Sequence, residues 1–386
     1  MALKVAARGA VPPFIVMDVM RAANEREAAG GDVLHLEVGQ PGTPAPDGVL
    51  AAARRALDDH LIGYTDAMGL TGLRARIARH YEEWYGCEID PRRVMVTTGS
   101  SAGFLLSFLS AFDPGDRVAL AAPGYPAYRN ILSALGVEPV LLPAEAEHRF
   151  QPTPELLDRL PAPPQGLIVA SPSNPAGTMV GPDELRALVD YCAAAGIRLI
   201  SDEIYHGICF DQPGVTALSL SEDAVVINSF SKYFSMTGWR LGWMVLPEDL
   251  LRPVECLAQN LFISPPCLSQ IAGEAAFDCG EQLDGYVAAY ARNRALLLEE
   301  LPKAGLDRLA PADGAFYIYA DVAAVTNDSE ALCRRMLAEI GIAATPGVDF
   351  DPDRGHHFVR FSFAGREADM GEAARRLQAW LPGCGG

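Results

Sequence analysis

Three adjoining segments decide the fold: Gly166-Leu-Ile-Val-Ala170, Pro182-Asp-Glu-Leu-Arg-Ala-Leu-Val-Asp-Tyr-Cys192 and Ile197-Arg-Leu-Ile200. The first and third are short and apolar, which suits strands buried on both faces. The middle one places Leu185, Leu188, Val189 and Cys192 at i, i+3, i+4 and i+7, a helical core stripe. Pro182 fits the first turn, where a missing N–H costs nothing, and Gly196 fits the end, where a left-handed residue closes a helix. Strand, helix and strand in that order are the unit of a parallel sheet.

The alternation continues outward from about residue 93 to residue 246. Arg93-Val-Met-Val96, Arg117-Val-Ala-Leu120, Ala224-Val-Val-Ile227 and Leu241-Gly-Trp-Met-Val245 read as further strands with helices between them. The expected class is therefore α/β, with a largely parallel sheet in a large domain. Beyond about residue 280 the pattern changes. A long helical stretch (285–301) leads to the strand-like Ala315-Phe-Tyr-Ile-Tyr319, a helix near 329–340, the strand-like Phe358-Val-Arg-Phe-Ser-Phe363 and a closing helix. That grouping predicts a smaller α+β domain. The strand-like Val33-Leu-His-Leu-Glu-Val38, followed by Pro41, Pro44 and Pro46, is assigned to it as well. The expected division is 1–46 with the small domain, 47–279 as the large domain and 280–386 as the rest of the small one.

Composition narrows the function. At 386 residues and a formal net charge of −18, the chain lacks the basic face that nucleic acid or an anionic membrane requires. The apolar run from Val94 to Phe112 is interrupted by Thr97, Thr98, Gly99, Ser100 and Ser101, so it does not read as a membrane span. Lys4 and Arg8 precede a stretch broken by Pro12-Pro13 and Asp18, a poor signal peptide. Eight cysteines at 87, 192, 209, 256, 267, 279, 333 and 384 show neither CxxC spacing nor a dense framework, which suits free thiols in a reducing cytoplasm. No metal site is expected from the seven histidines, since no HExxH occurs and His356-His357 are adjacent.

Ligands of open α/β sheets bind beyond the carboxyl ends of the strands. Four such ends carry polar clusters: Thr97-Thr-Gly-Ser-Ser101, Ser171-Pro-Ser-Asn-Pro-Ala-Gly-Thr178, Ser201-Asp-Glu-Ile-Tyr205 and Asn228-Ser-Phe-Ser-Lys232. The first feeds a helix N-terminus, where free N–H groups suit a phosphate. It also spells G-x-S-x-G over Gly99 to Gly103, the elbow of serine hydrolases, with Asp202 and then His356 or His357 to complete the order. Against that rival stand a missing HGGG-type stretch upstream and the lack of any role for Lys232, Asn174 and Arg240. Lysine usage sharpens the choice, because Lys4, Lys232 and Lys303 are the only three lysines among 31 basic residues. Arginine can replace lysine on a solvated surface but cannot form an imine or act as a neutral amine base.

The segments, taken in order, resemble the fold-type I pyridoxal-phosphate enzymes, and within them the class I and II aminotransferases of the aspartate aminotransferase superfamily. The resemblance runs through Gly39-Gln-Pro41, Tyr64-Thr-Asp-Ala-Met-Gly69, Ser171 to Thr178, Asp202-Glu-Ile-Tyr205, Ser229-Phe-Ser-Lys232, Met236-Thr-Gly-Trp-Arg240, Gly314-Ala-Phe-Tyr317 and Val359-Arg360-Phe. It implies pyridoxal 5'-phosphate as cofactor, held by Lys232 as an imine. Lys232 would then move a proton as the free amine, and Asp202 would keep the ring nitrogen protonated. Tyr205 and Asn174 would bond the phenolic oxygen, and Tyr125 would stack on the ring. The phosphate would take Ser229, Ser231, Arg240 and the backbone of Ser100, Ser101 and Ala102, with Tyr64 reaching in from a second subunit of a homodimer.

Gly39, Asn174 and Arg360 would meet the substrate, Arg360 through its α-carboxylate. Arg360 sits in an apolar strand, where an unpaired charge is costly. The expected reaction is transfer of an amino group between an α-amino acid and a 2-oxo acid. A C–S β-lyase on the same fold is the alternative within the family. Some aspartate-specific relatives place a lysine where Ser101 stands, which argues against strict dicarboxylate specificity.

Overall fold

The computed structural model describes residues 3–383, so Cys384 lies outside the described residues. In chain order the strands are β1 (Leu34–His35), β2 (Val94–Thr97), β3 (Arg117–Ala122), β4 (Glu138–Pro143), β5 (Gly166–Ala170), β6 (Arg198–Asp202), β7 (Val225–Ser229), β8 (Gly242–Val245), β9 (Tyr317–Asp321), β10 (Ile342–Ala343), β11 (Thr345–Pro346) and β12 (Phe358–Ser362). Seven of them form one sheet in the order β2-β8-β7-β6-β5-β3-β4. Pairs within β4-β3-β5-β6-β7 are parallel, whereas β8 is antiparallel to both β7 and β2. Thus β8 alone is reversed, and β2 runs with the majority.

Successive residues of these strands serve two cores. Leu167, Val169, Leu199, Val226, Trp243 and Val245 face one. Ile168, Ile200, Val225, Ile227 and Met244 face the other. Covering both faces is what makes the runs continuously apolar rather than alternating. The helix Pro182–Ala195 buries the four stripe residues, and Gly196 closes it at φ 69°. The sequence pattern passes over β4, whose Pro139 and Pro143 argue against a central strand. The strand lies at the sheet edge, where a missing N–H is tolerated.

The remaining strands make a three-stranded antiparallel sheet, β11-β12-β9, and a parallel pair, β1-β10. The strand expected over 33–38 shrinks to Leu34–His35. Further along, the Glu37 carbonyl accepts from the side chains of Thr345 (2.9 Å) and Arg360 instead of continuing a ladder. The strand expected from Ala315 starts two residues later, because Ala315 itself is left-handed at φ 57°. Pairing of β1 with β10 ties the N-terminal stretch to C-terminal elements.

Candidate active site

The carboxyl ends of β2, β5, β6 and β7 converge on a cavity of about 420 Å³. Reversal of β8 matters here: Arg240, just before its first residue, comes to the same edge. Gly39, Ser100, Ser101, Tyr125, Asn174, Asp202, Tyr205, Ser231, Lys232, Arg240 and Arg360 all line the cavity.

Lys232 is half-buried, and its Nζ donates to the neutral carbonyl of Gly39 at 2.6 Å. Burial lowers its pKa to about 8, the charge of Arg360 adds to the effect, and Asp202 opposes it. Asp202 ends β6 at 3% exposure. One carboxyl oxygen accepts from the Ile204 N–H at 3.0 Å, and the other accepts from the Tyr128 hydroxyl. Burial raises its pKa to about 6, against the pull of those two donors. The Tyr205 and Tyr317 hydroxyls share a hydrogen bond of 2.5 Å. Tyr125 meets Phe14 edge to face at 5.6 Å, and burial pushes its hydroxyl up to about 12.

Arg360 is 2% exposed. It donates to Asn174 Oδ1 at 2.8 Å, to Thr345 Oγ1 at 3.2 Å and to the Glu37 carbonyl, all uncharged atoms. Its Nε is buried without a partner. The guanidinium lies 4.4 Å from the Tyr317 ring centre and 4.8 Å from that of Phe350. All its hydrogen bonds go to neutral acceptors, and the one buried carboxylate that acts on it, Asp349, does so through space without a hydrogen bond, so the guanidinium can still take an anion directly.

At the opposite side of the cavity, the helix Gly99–Ala111 starts without a side-chain cap, leaving its first N–H groups open. Two glycines let Arg240 and that helix end approach each other. A Cβ on Gly99 would stand 2.6 Å from Arg240 Nη2, and one on Gly242 would stand 2.8 Å from the Ser100 nitrogen. Open N–H groups beside a guanidinium form a cradle for a phosphate.

Three expected residues do not line the cavity. The Ser229 hydroxyl accepts from the Ser231 N–H at 3.0 Å and donates to the Leu241 carbonyl at 3.4 Å, at the root of the loop that carries Ser231 and Lys232. Ala102 is buried within the helix. Tyr64 is 84% exposed and lies outside this subunit's cavity. The serine-hydrolase pattern finds no support, because neither His356 nor His357 lines the cavity that Ser101 faces. Sequence reasoning missed Tyr128, Tyr317 and the N-terminal wall of Phe14, Val16 and Met17. Tyr317 stood inside a quoted motif; the others carried only ordinary helical or apolar spacing.

A model of the family described as aminotransferase class I and II matches residues 31–377. The chain is 52% identical over 383 residues to the valine–pyruvate aminotransferase of Mycobacterium tuberculosis, covering 98% of this chain and 99% of that protein. It is 30% identical over 373 residues to the (5-formylfuran-3-yl)methyl phosphate transaminase of Methanocaldococcus jannaschii, covering 95% and 96%. Among solved structures, an aminotransferase from Mycobacterium tuberculosis superposes with a TM-score of 0.97 at 52% identity, over 99% and 100% of the two chains. The aspartate aminotransferase of Thermus thermophilus with maleate gives 0.92 at 29% identity, over 98% and 100%.

Proposed function

The chain belongs to the class I and II aminotransferases and moves an amino group between an α-amino acid and a 2-oxo acid; from that premise we propose which residues do so and which substrates they take. The observation that carries the assignment is Lys232, a half-buried amine bonded to a neutral carbonyl, in one cavity with a buried carboxylate and an anion-seeking guanidinium.

These groups fit pyridoxal 5'-phosphate. Bound there, the cofactor supplies an electron sink for bonds broken at the substrate α-carbon. Lys232 would hold the cofactor through Nζ, and as the free amine it would carry the substrate α-proton on that nitrogen. A pKa of about 8 keeps a useful fraction of that amine neutral near physiological pH. Asp202 would pair with the ring nitrogen, where its charge would favour the protonated form. Tyr205 and Asn174 would hydrogen-bond the phenolic oxygen, and Tyr125 would cover the ring. Ser229, Ser231, Arg240 and the backbone N–H groups of Ser100, Ser101 and Ala102 would hold the phosphate, joined by Tyr64 of a second copy. We assign 47–279 to the cofactor-binding domain, and 1–46 with 280–386 to the smaller one. We place the homodimer in the cytoplasm, where the seven free thiols among the described residues stay reduced. Among those residues no helix is long and apolar enough to cross a membrane.

Arg360, with Gly39 and Asn174 beside it, receives the α-carboxylate. Among the residues lining the cavity, Lys232, Arg240 and Arg360 are the only cations, and each is already engaged. None of these three lining cations is left for a second carboxylate. The walls left for the side chain are apolar: Phe14, Val16, Met17, Val38 and Ile131. The proposed donors are therefore aliphatic amino acids, valine with pyruvate as acceptor and alanine with a different 2-oxo acid, in line with the relative named for valine and pyruvate.

A panel of amino donors given to the cofactor-loaded enzyme with pyruvate or another 2-oxo acid tests this. Valine or alanine should exceed aspartate in kcat/KM by at least about a hundredfold, since burying an unpaired carboxylate costs several kcal/mol. Comparable rates with aspartate would overturn the aliphatic assignment. Release of pyruvate from a β-substituted amino acid at the rate of amino transfer would point to elimination instead.

A further inference from the structure

The helix Ile15–Ala28 begins at Phe14 with no side-chain cap of its own. A residue more than three hundred positions away supplies one. Asp349 accepts the Ile15 N–H on Oδ1 and the Val16 N–H on Oδ2, each at 3.2 Å. It is 1% exposed. A carboxylate at a helix N-terminus also meets the positive end of the helix dipole. The residues it holds are the apolar wall of the cavity, Phe14, Val16 and Met17.

The backbone of Asp349 is fixed on its other side to the segments around Tyr125 and Arg360. Its carbonyl accepts from Arg129 at 2.6 Å, and the next carbonyl, of Phe350, accepts from the Gly124 N–H at 3.1 Å. Gly124 immediately precedes Tyr125. The Phe350 ring lies beneath the Arg360 guanidinium at 4.8 Å. Thr345, four residues before Asp349, pairs with Arg360 in the β11–β12 ladder. One short loop therefore touches the carboxylate-binding arginine, the Tyr125 loop and the N-terminal wall.

We infer that Asp349 is a positioning residue that sets the distance between the carboxylate anchor Arg360 and the apolar wall of residues 14–17, and so fixes which side-chain size the enzyme accepts. The inference rests on the aminotransferase reading and deepens it. A donor with one methyl group barely reaches the wall, whereas a branched side chain fills the gap and gains from contact with it.

Asp349→Asn keeps the shape but loses the charge and one acceptor oxygen, so at least one of the two bonds breaks. The holoenzyme variant should show a KM for valine raised about tenfold with kcat within about twofold, the scale of losing contact to two methyl groups. Alanine should change less than about twofold in both constants. The double variant Val16→Ala with Met17→Ala removes the wall itself and should lower the valine-to-alanine ratio similarly. Adding Asp349→Asn to it should produce no further drop, because the two changes act on one contact. An unchanged ratio in Asp349→Asn, or effects that multiply, would overturn the inference. Hydrogen exchange on the unmutated protein gives a readout independent of variant folding: the Ile15 and Val16 amides should be protected, and rapid exchange at both would also overturn it. Parent enzyme that prefers aspartate to valine would sink the substrate reading itself, an outcome separate from any behaviour of Asp349.

Discussion

Two ionisable groups of opposite sign, Lys232 and Asp202, are each pushed by burial towards neutrality. For the lysine that shift is useful, since only the neutral amine takes up a proton or attacks an aldehyde. Asp202 needs the reverse, an ionised carboxylate, and its hydrogen bonds from Tyr128 and the Ile204 N–H pull that way. A protonated ring nitrogen beside it would complete the pairing. Asp202→Asn keeps the shape and removes the charge, its amide nitrogen donating to the Tyr128 hydroxyl in place of accepting from it while the amide oxygen keeps the Ile204 N–H. The variant should still bind cofactor and stay coloured, while kcat falls by at least about a hundredfold, or about 2.7 kcal/mol at 1.36 kcal/mol per tenfold step. Stopped-flow absorbance with an α-deuterated donor should show proton removal as the slow step. Turnover within about tenfold of the parent, with cofactor saturating, would reduce Asp202 to a loop cap.

Among the elements, the single reversed strand carries much of the design. Because β8 runs against its neighbours, the turn before it delivers Arg240 to the edge where the other strands end. Gly242, the first residue of β8, lies so close that a Cβ would meet the Ser100 nitrogen at 2.8 Å and the Asn228 carbonyl at 2.9 Å. Both are backbone atoms that cannot rotate away. Gly242→Ala should therefore displace the helix N-terminus and weaken cofactor binding at least about tenfold in a fluorescence titration, overpacking costing about 1–3 kcal/mol. Gly238→Ala in the same turn, where a Cβ meets nothing within 4 Å, should bind like the parent. Equal affinity in the two variants would refute the cradle. The polar clusters at strand ends were legible in the sequence because chain direction alone places them on one edge. Tyr128 was not: three residues after Tyr125 on a helix, it reads as core, and only the tertiary fold turns its hydroxyl to Asp202. Asp349 was equally silent, since a helix cap drawn from the far end of the chain leaves no local pattern.

At the scale of the whole molecule, sequence order and spatial order part company. The N-terminal stretch joins C-terminal strands through β1 and β10, and its first helix closes one wall of a cavity built by the central sheet. Covered apolar runs and glycine-closed helices made the central sheet readable, while contacts between distant segments depend on packing that no local spacing records. Three lysines in the entire chain make the central claim unusually easy to test. Borohydride fixes a reversible link between a lysine and an aldehyde, and peptide mapping then locates it. Holoenzyme treated in this way should lose activity and carry the pyridoxyl group on Lys232 alone, as the imine assignment requires. Label on Lys4 or Lys303 in its place, or active protein that carries no label, would contradict it.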